Sequence, residues 1–245
     1  MNYALLLAAG VGQRMRNGGL PKQFLKLYGK PIVIYTLEKF EDNPSIDKIT
    51  IVCREGYTDL MSQYVDDYHI HKVEKILVGG ENRQKSLERG LLTIRDMGAV
   101  DDDIVVIHDG VRPLVSQAAI NENIRVAQIA GSAMTVHPVT ESVVVTADEN
   151  VDFDKFSKRD DTYSMTSPQS FRLGAIISAY DKMFEDNEKN NTIPLLDAAM
   201  VYSKYVGDVQ LVKETGSNLK ITTPEDYYYL KAMLEMEENK YIFGL

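Results

Sequence analysis

Tyr3-Ala-Leu-Leu-Leu-Ala-Ala-Gly10-Val-Gly12-Gln-Arg14-Met15, followed after a short loop by Pro21-Lys22-Gln-Phe24-Leu25, is the stretch on which the reading of this chain turns. An apolar run of strand length ends in the small residues Ala8 and Ala9 and two glycines, Gly10 and Gly12. Glycine lets the backbone turn sharply and approach a ligand closely. Successive N–H groups in such a turn cradle phosphate oxygens. Arg14 and Lys22, eight positions apart, would add charge-assisted donors to a polyphosphate. The expectation is a nucleotide triphosphate held at the end of the first strand. The Walker pattern needs Gly-Lys-Ser/Thr closing the loop, and the dinucleotide fingerprint needs a third glycine where this chain has Met15. A Gly-x-Gly after a strand is often only a tight turn, and the paired cations tip the reading towards phosphate.

With 245 residues, 44% of them hydrophobic, the chain can bury a substantial core, as one large α/β domain or a domain with an appendage. A formal net charge of −9 argues against a nucleic-acid binder, which ordinarily carries a basic face. Cys53 is the one cysteine, so a disulfide framework and a cysteine-rich zinc site are both excluded. Residues 1–9 carry no basic leader, and the apolar run is too short to span a membrane. The expectation is a cytoplasmic protein, not bound to membrane.

Apolar runs alternate with amphipathic stretches, the pattern of a sheet flanked by helices. Strands are expected at 3–8, 48–53, 75–78 and 104–108. Pro31 is expected at the first position of a helix holding Ile32, Val33, Leu37 and Phe40. Residues 57–68 and 82–97 read as further helices, the second burying Leu87, Leu91 and Ile94. Ser116 reads as the N-cap of a helix reaching Ala130. A strand at 132–138 leads into a polar, hairpin-like segment at about 138–166, with a turn at Asp148-Glu149-Asn150. An isolated hairpin is marginal in water, so this arm needs a partner surface, on a second subunit or on its own domain. Helices are expected at 173–184 and 195–205, with a charged loop at 185–192 between them. A strand at 209–213 follows, and Thr223-Pro224-Glu225-Asp226 starts a final helix running to roughly Glu238.

Ile104-Val-Val-Ile-His108-Asp109 places an aspartate at the carboxyl end of a strand, the edge where open α/β sheets bind ligands. Asp109 is suited to hold Mg²⁺ or another divalent cation against a triphosphate, since Mg²⁺ takes one or two carboxylates plus phosphate oxygens; the alternative is an aspartate that caps its loop. His108 reads as a structural hydrogen-bonder rather than a base. The backbone of Gly79 and Gly80 and the Ser86 hydroxyl could read a base edge. Lys220 and Arg159 taken singly read as solvated cations.

In sequence order, Leu7-Ala-Ala-Gly-x-Gly-x-Arg14-Met, Pro21-Lys22-Gln-Phe-Leu, Gly79-Gly80-x-x-Arg-Gln-x-Ser86, His108-Asp109-x-x-Arg-Pro, Pro168-Gln-x-Phe and Asn218-x-Lys220-Ile-Thr-x-Pro-Glu-Asp form a set. As a set they resemble the cytidylyltransferases acting on 2-C-methyl-D-erythritol 4-phosphate and on ribitol 5-phosphate, over nearly the whole chain. The resemblance implies a Rossmann-like open mixed sheet flanked by helices, with a protruding β-arm, all within a single domain of residues 1–245. It implies transfer of CMP from CTP to a polyol phosphate, a divalent ion, and a homodimer linked through the arm. Arg14, Lys22 and Lys220 would stabilise the triphosphate and the charge growing at the α-phosphate. Asp109 would hold the metal. Gly80 and Ser86 would bind the cytidine, and Ser142 and Arg159 the acceptor, in the partner subunit's site.

Departures from the family pattern fall in the acceptor half: Glu141-Ser142 for Asp-Thr, Thr166-Ser167 for Gln-Thr, and Leu196-Asp197-Ala198 for Thr-Asp-Ala. Asp109-Gly-Val-Arg-Pro is closer to the ribitol-phosphate branch, whereas Arg83-Gln-x-Ser86 points to the methylerythritol branch. D-ribitol 5-phosphate, giving CDP-ribitol, is the expected acceptor, and 2-C-methyl-D-erythritol 4-phosphate the alternative. A nicotinamide oxidoreductase would need the missing glycine and an acid where Cys53-Arg54-Glu55 stands. A nucleotide-binding regulator without catalysis would not require Arg14, Lys22, Asp109 and Lys220 together.

Overall fold

Strand β1 (Asn2–Ala8) is buried along almost its whole length and alternates its side chains between two cores. Ala4, Leu6 and Ala8 face one, and Tyr3 and Leu5 the other. A continuous apolar run buried on both faces marks a central parallel strand. The computed structural model describes residues 1–10, 12, 19–146, 150–190, 196–214 and 217–243, excepting the side chains of 187–190, 238 and 240–243. After β1 come two short strands, β2 (Lys26–Leu27) and β3 (Lys30–Pro31), which pair with each other. Helix α1 (Ile32–Glu41), β4 (Lys48–Cys53), α2 (Thr58–Asp67), β5 (Val73–Val78), α3 (Arg83–Asp96) and β6 (Ile104–Asp109) follow. Then come α4 (Gln117–Ala130), β7 (Ser132–Pro138), β8 (Tyr163–Arg172), α5 (Leu173–Asn190), α6 (Ala198–Tyr205), β9 (Gln210–Lys213) and α7 (Pro224–Phe243).

The main sheet has the order β5-β4-β1-β6-β8-β7-β9. Strands β5, β4, β1 and β6 are parallel, β8 is antiparallel to both its neighbours, and β9 runs parallel to β7. One face is covered by α1, α2 and α4, and the other by α3, α5 and α6. The expected α/β sheet flanked by helices is present. From β1 the chain winds outward through β4 to β5 and then returns to β6 on the other side of β1. The carboxyl ends of β1 and β6 thus form the switch point at which such sheets bind ligands.

Several expectations are corrected. Pro31 is not the first residue of α1 but the extended residue before it. The loop expected at 185–192 is helical as far as Asn190, in keeping with the good helix propensity of the Glu and Lys in its sequence. Helix α6 starts at Ala198 rather than at 195; Leu196 and Asp197 are not helical, and Leu195 lies outside the described residues. Helix α7 continues past Glu238 to Phe243. The largest difference is β8, a ten-residue strand between β6 and β7 whose greater part lies beyond the expected arm. Its Thr166-Ser167-Pro168-Gln169-Ser170 is polar and carries a proline that cannot donate to a ladder, both arguments against an interior strand. The register shift between Met134 and Val136 of β7 falls opposite that stretch, and Thr135 Oγ1 donates to the Pro168 carbonyl at 2.8 Å.

The arm occupies 139–162, between β7 and β8. Its pairing is slight: a bridge between Val144 and Phe156, with Val145 N donating to Lys155 O at 2.9 Å and Ser157 N to Val143 O at 2.9 Å. Of its expected turn, Asp148 and Glu149 lie outside the described residues.

Candidate active site

A cleft of about 790 Å³ opens at the carboxyl ends of β1, β4 and β6. Its first wall is the glycine-rich turn. Gln23 is almost wholly buried and donates to the carbonyls of Ala8 at 2.6 Å and Gly10 at 3.3 Å, so the turn is pinned from the segment that follows it. Gly12 has φ +67°, a conformation costly for other residues, and the Lys22 backbone nitrogen lies 3.4 Å from where a Cβ would stand. Ala8, Ala9, Gly10, Gly12 and Lys22 all line the cleft, as expected. Arg14 lies outside the described residues.

The second wall is backbone. A Cβ on Gly79 would fall 2.6 Å from Ala9 Cβ, and one on Gly80 would fall 2.5 Å from Lys85 Cβ and 2.8 Å from the Lys85 carbonyl carbon. Helix α3 begins here, capped by Asn82, whose side chain accepts from Lys85 N at 2.9 Å. Ser86 lines the cleft, but its hydroxyl accepts from Gly80 N–H at 3.0 Å and donates to the Asn82 carbonyl at 2.8 Å. Its visible work is to hold the Gly80 turn.

At the floor stands Asp109, 5% exposed at the end of β6. Arg83 Nη1 reaches its Oδ1 at 3.0 Å, while Arg112 Nε at 3.0 Å and Lys220 Nζ at 3.1 Å reach Oδ2. Burial by itself would raise this carboxyl's pKa. The three cations and the Arg112 hydrogen bond outweigh it and hold Asp109 well below the usual carboxylate range. Arg112 also donates to the Asn218 carbonyl at 2.8 Å, and Asn218 Nδ2 to the Ser167 carbonyl at 2.6 Å. Ser167 Oγ in turn accepts from Asp109 N at 3.2 Å. The motifs around 109, 167 and 218, distant in sequence, are thus one hydrogen-bonded unit that carries Lys220 into the cleft. His108 lies behind it, wholly buried, with Nε2 3.2 Å from the Arg112 carbonyl. Burial lowers its pKa to about 4, so it is neutral at pH 7, which suits a structural role better than a base.

Arg83, Arg112, Gln23 and Asp197 join the site beyond the residues expected from the sequence. Arg83 and Arg112 stand inside quoted motifs, and their spacing from Gly80 and Asp109 was the available signal. Ser142 and Arg159 sit exposed on the arm and line neither this cleft nor the open one of about 800 Å³ beside it. That second cleft shares Lys220 with the first, is lined by Arg112 and reaches Thr140 at the root of the arm.

Among the described residues no group of three or more His, Cys, Asp or Glu side chains could hold a metal unaided. A divalent ion here would rest on one carboxylate, with phosphate oxygens and water completing its shell, a mode that suits Mg²⁺. Asp109 fits that mode, being ionised, buried and at the cleft floor. No helix among the described residues is long and apolar enough to cross a membrane.

Comparison with known proteins agrees with this geometry. The family model described as IspD, 2-C-methyl-D-erythritol 4-phosphate cytidylyltransferase, matches residues 3–236. The ribitol-5-phosphate cytidylyltransferase of Vibrio parahaemolyticus is 40% identical over 244 residues, the whole of both chains. The 2-C-methyl-D-erythritol 4-phosphate cytidylyltransferase of Clostridium novyi is 36% identical, covering 96% of each. A solved structure, 4-diphosphocytidyl-2C-methyl-D-erythritol synthase from Anaerococcus prevotii, superposes with a TM-score of 0.79 over 96% of both chains at 24% identity, a likeness of fold.

Proposed function

The chain belongs to the IspD cytidylyltransferase family, and on that premise we propose that it transfers CMP from CTP to D-ribitol 5-phosphate, releasing pyrophosphate and CDP-ribitol. The observation that carries the reaction class is the convergence of Arg83, Arg112 and Lys220 on Asp109 beside a glycine-walled cleft. Three cations gathered where backbone comes close form a site for a polyphosphate in a chain whose net charge is −9. The acceptor assignment rests on the full-length relative and on Asp109-Gly-Val-Arg-Pro.

In this reading the triphosphate lies along Ala8–Gly12 with Lys22 and Arg14 on its oxygens, and the backbone at Gly79 and Gly80 reads the cytosine edge. An oxygen of the acceptor phosphate attacks the α-phosphorus in line. The new P–O bond forms as the bond to the β-phosphate bridging oxygen breaks, and pyrophosphate leaves. The acceptor oxygen is already anionic, so no general base is needed, in keeping with a neutral, buried His108. Lys220 and Lys22 stabilise the charge spread over the α-phosphate, and alignment supplies the rest. Asp109 would hold a divalent ion, which when bound would neutralise charge on the phosphates. The open cleft beside Arg112 and Lys220 suits the polyol.

Ser142 and Arg159 would reach the acceptor from a partner copy. The arm's Val145, Phe153 and Phe156, 67%, 89% and 52% exposed, support burial of that arm against a second subunit. The domain is taken as one unit of residues 1–245, and a cytoplasmic location is in keeping with CTP as substrate. Pyrophosphate release from CTP and Mg²⁺ with each acceptor tests the proposal. Faster release with ribitol 5-phosphate supports it. Preference for 2-C-methyl-D-erythritol 4-phosphate would reassign the acceptor, and release with neither would remove the function.

A further inference from the structure

Arg83 is the cation least accounted for by these roles, although it stands in the middle of the cleft. It leaves the first position of α3, and its guanidinium spans carboxylates from two other elements. Nη1 donates to Asp109 Oδ1 at 3.0 Å and Nη2 to Asp197 Oδ1 at 3.1 Å. Among the described residues its Nε is buried with no hydrogen-bond partner, and the two carboxylates set the plane of the group. Asp197 immediately precedes α6, where an aspartate ordinarily accepts from the first N–H groups of its helix. Here its side chain makes no such cap. The carboxylate is committed to Arg83 instead, and Gln169 Oε1 takes over the cap, accepting from Ala199 N at 3.0 Å.

We propose that Asp197 and Arg83 form a positioning clamp on Asp109, fixing Oδ1 so that Oδ2 is the oxygen turned to Lys220 and to the divalent ion. The inference rests on the reading of Asp109 as the carboxylate that meets that ion. With Arg83 on Oδ1 and Arg112 Nε on Oδ2, the carboxylate keeps two fixed partners and holds its orientation about the Cβ–Cγ bond when Lys220 exchanges Oδ2 for a phosphate. Oδ2 then has a lone pair free in a fixed direction. Only arginine's planar fork can meet two carboxylates at once in this way; a lysine would be a point charge shared between them. Partners that orient a metal-binding carboxylate typically alter metal affinity without touching the metal.

The test uses the full-length protein with Mn²⁺ as probe. Free Mn²⁺ is followed by electron paramagnetic resonance in the presence of a non-hydrolysable CTP analogue. Analogue affinity in chelator and thermal stability are recorded in parallel. Asp197→Asn is expected to weaken Mn²⁺ binding by about 10-fold or more and to lower kcat, with metal-free analogue affinity within about two-fold of wild type. Asp109→Asn should weaken Mn²⁺ at least as much. Wild-type Mn²⁺ affinity in Asp197→Asn beside a clear loss in Asp109→Asn would overturn the clamp and leave the reading of Asp109 standing. Wild-type affinity in Asp109→Asn would overturn both. Should Asp197→Asn fail to fold, Arg83→Lys decides the matter: it keeps the charge and loses the bridge, so the same loss supports the clamp and unchanged Mn²⁺ binding rejects it.

Discussion

Lys220 and His108 stand on either side of Asp109 and answer to different experiments. Lys220 has a half-exposed side chain and one ion pair, so Lys220→Ala should fold normally. Its loss should lower kcat/KM by about 10²–10³, roughly 3–4 kcal/mol of transition-state stabilisation, in steady-state pyrophosphate assays. His108 governs stability instead. Its pKa falls from 6.5 in the unfolded chain to about 4 when folded, so between those values the unfolded state binds the extra proton. Stability therefore falls as pH drops through that window, by about 2 kcal/mol between pH 7 and pH 5. Urea denaturation at the two pH values measures it, and His108→Phe should flatten the difference. At this scale the sequence disclosed residue types but not their partners. Asp109 was legible because a strand end fixes where it points. Arg83 and Arg112 were visible in their motifs, yet nothing in a linear spacing says that two arginines, 29 positions apart in the chain, will share one carboxylate.

Helix α3 shows how an element is set by one missing side chain. Gly90 lies against β1, where a Cβ would fall 2.5 Å from Leu5 Cδ1 and 3.1 Å from Val52 Cγ2. Alanine would gain roughly 1 kcal/mol of helix propensity. Overpacking a buried contact costs about 1–3 kcal/mol, and both neighbours are fully buried, so the clash wins. Gly90→Ala should lower the thermal midpoint. Gly80→Ala, at the other end of the same story, should hardly be tolerated by the turn it sits in, because the obstructing atoms include Lys85 backbone. Calorimetry should find CTP affinity reduced by at least about 10-fold, since backbone can no longer approach the base. The elements read best were those whose apolar period and caps agree: β4 at Lys48–Cys53 and β7 at Ser132–Pro138 have the expected limits, and Ser116 caps α4, its Oγ accepting from Ala119 N at 3.0 Å. Strand β8 defeated the same reasoning because its stability comes from neighbours on both sides rather than from its own composition.

For the molecule as a whole, the arm is the feature that the fold does not need and the proposed reaction does. Phe153→Asp should shift the protein towards monomer in sedimentation velocity and reduce turnover with the polyol phosphate, while leaving CTP affinity close to wild type. An unchanged sedimentation coefficient would detach the arm from assembly. The overall sheet was legible from alternating patterns, but its strand order was not, since pairing over long separations leaves no local trace. That order has one further result. Because β8 runs against β7, the chain leaves the sheet at Pro138 and re-enters at Tyr163 on the edge where Asp109 lies, with Ser167 Oγ and Asp109 N in contact just inside. A loop at such a crossing can be lengthened, shortened or rewritten without moving the strands whose ends form the cleft. If the proposed reaction holds, the scaffold would separate two inheritances: a nucleotide grip fixed at the strand ends around Asp109, and an acceptor preference carried on a detachable handle, free to drift from one polyol to another.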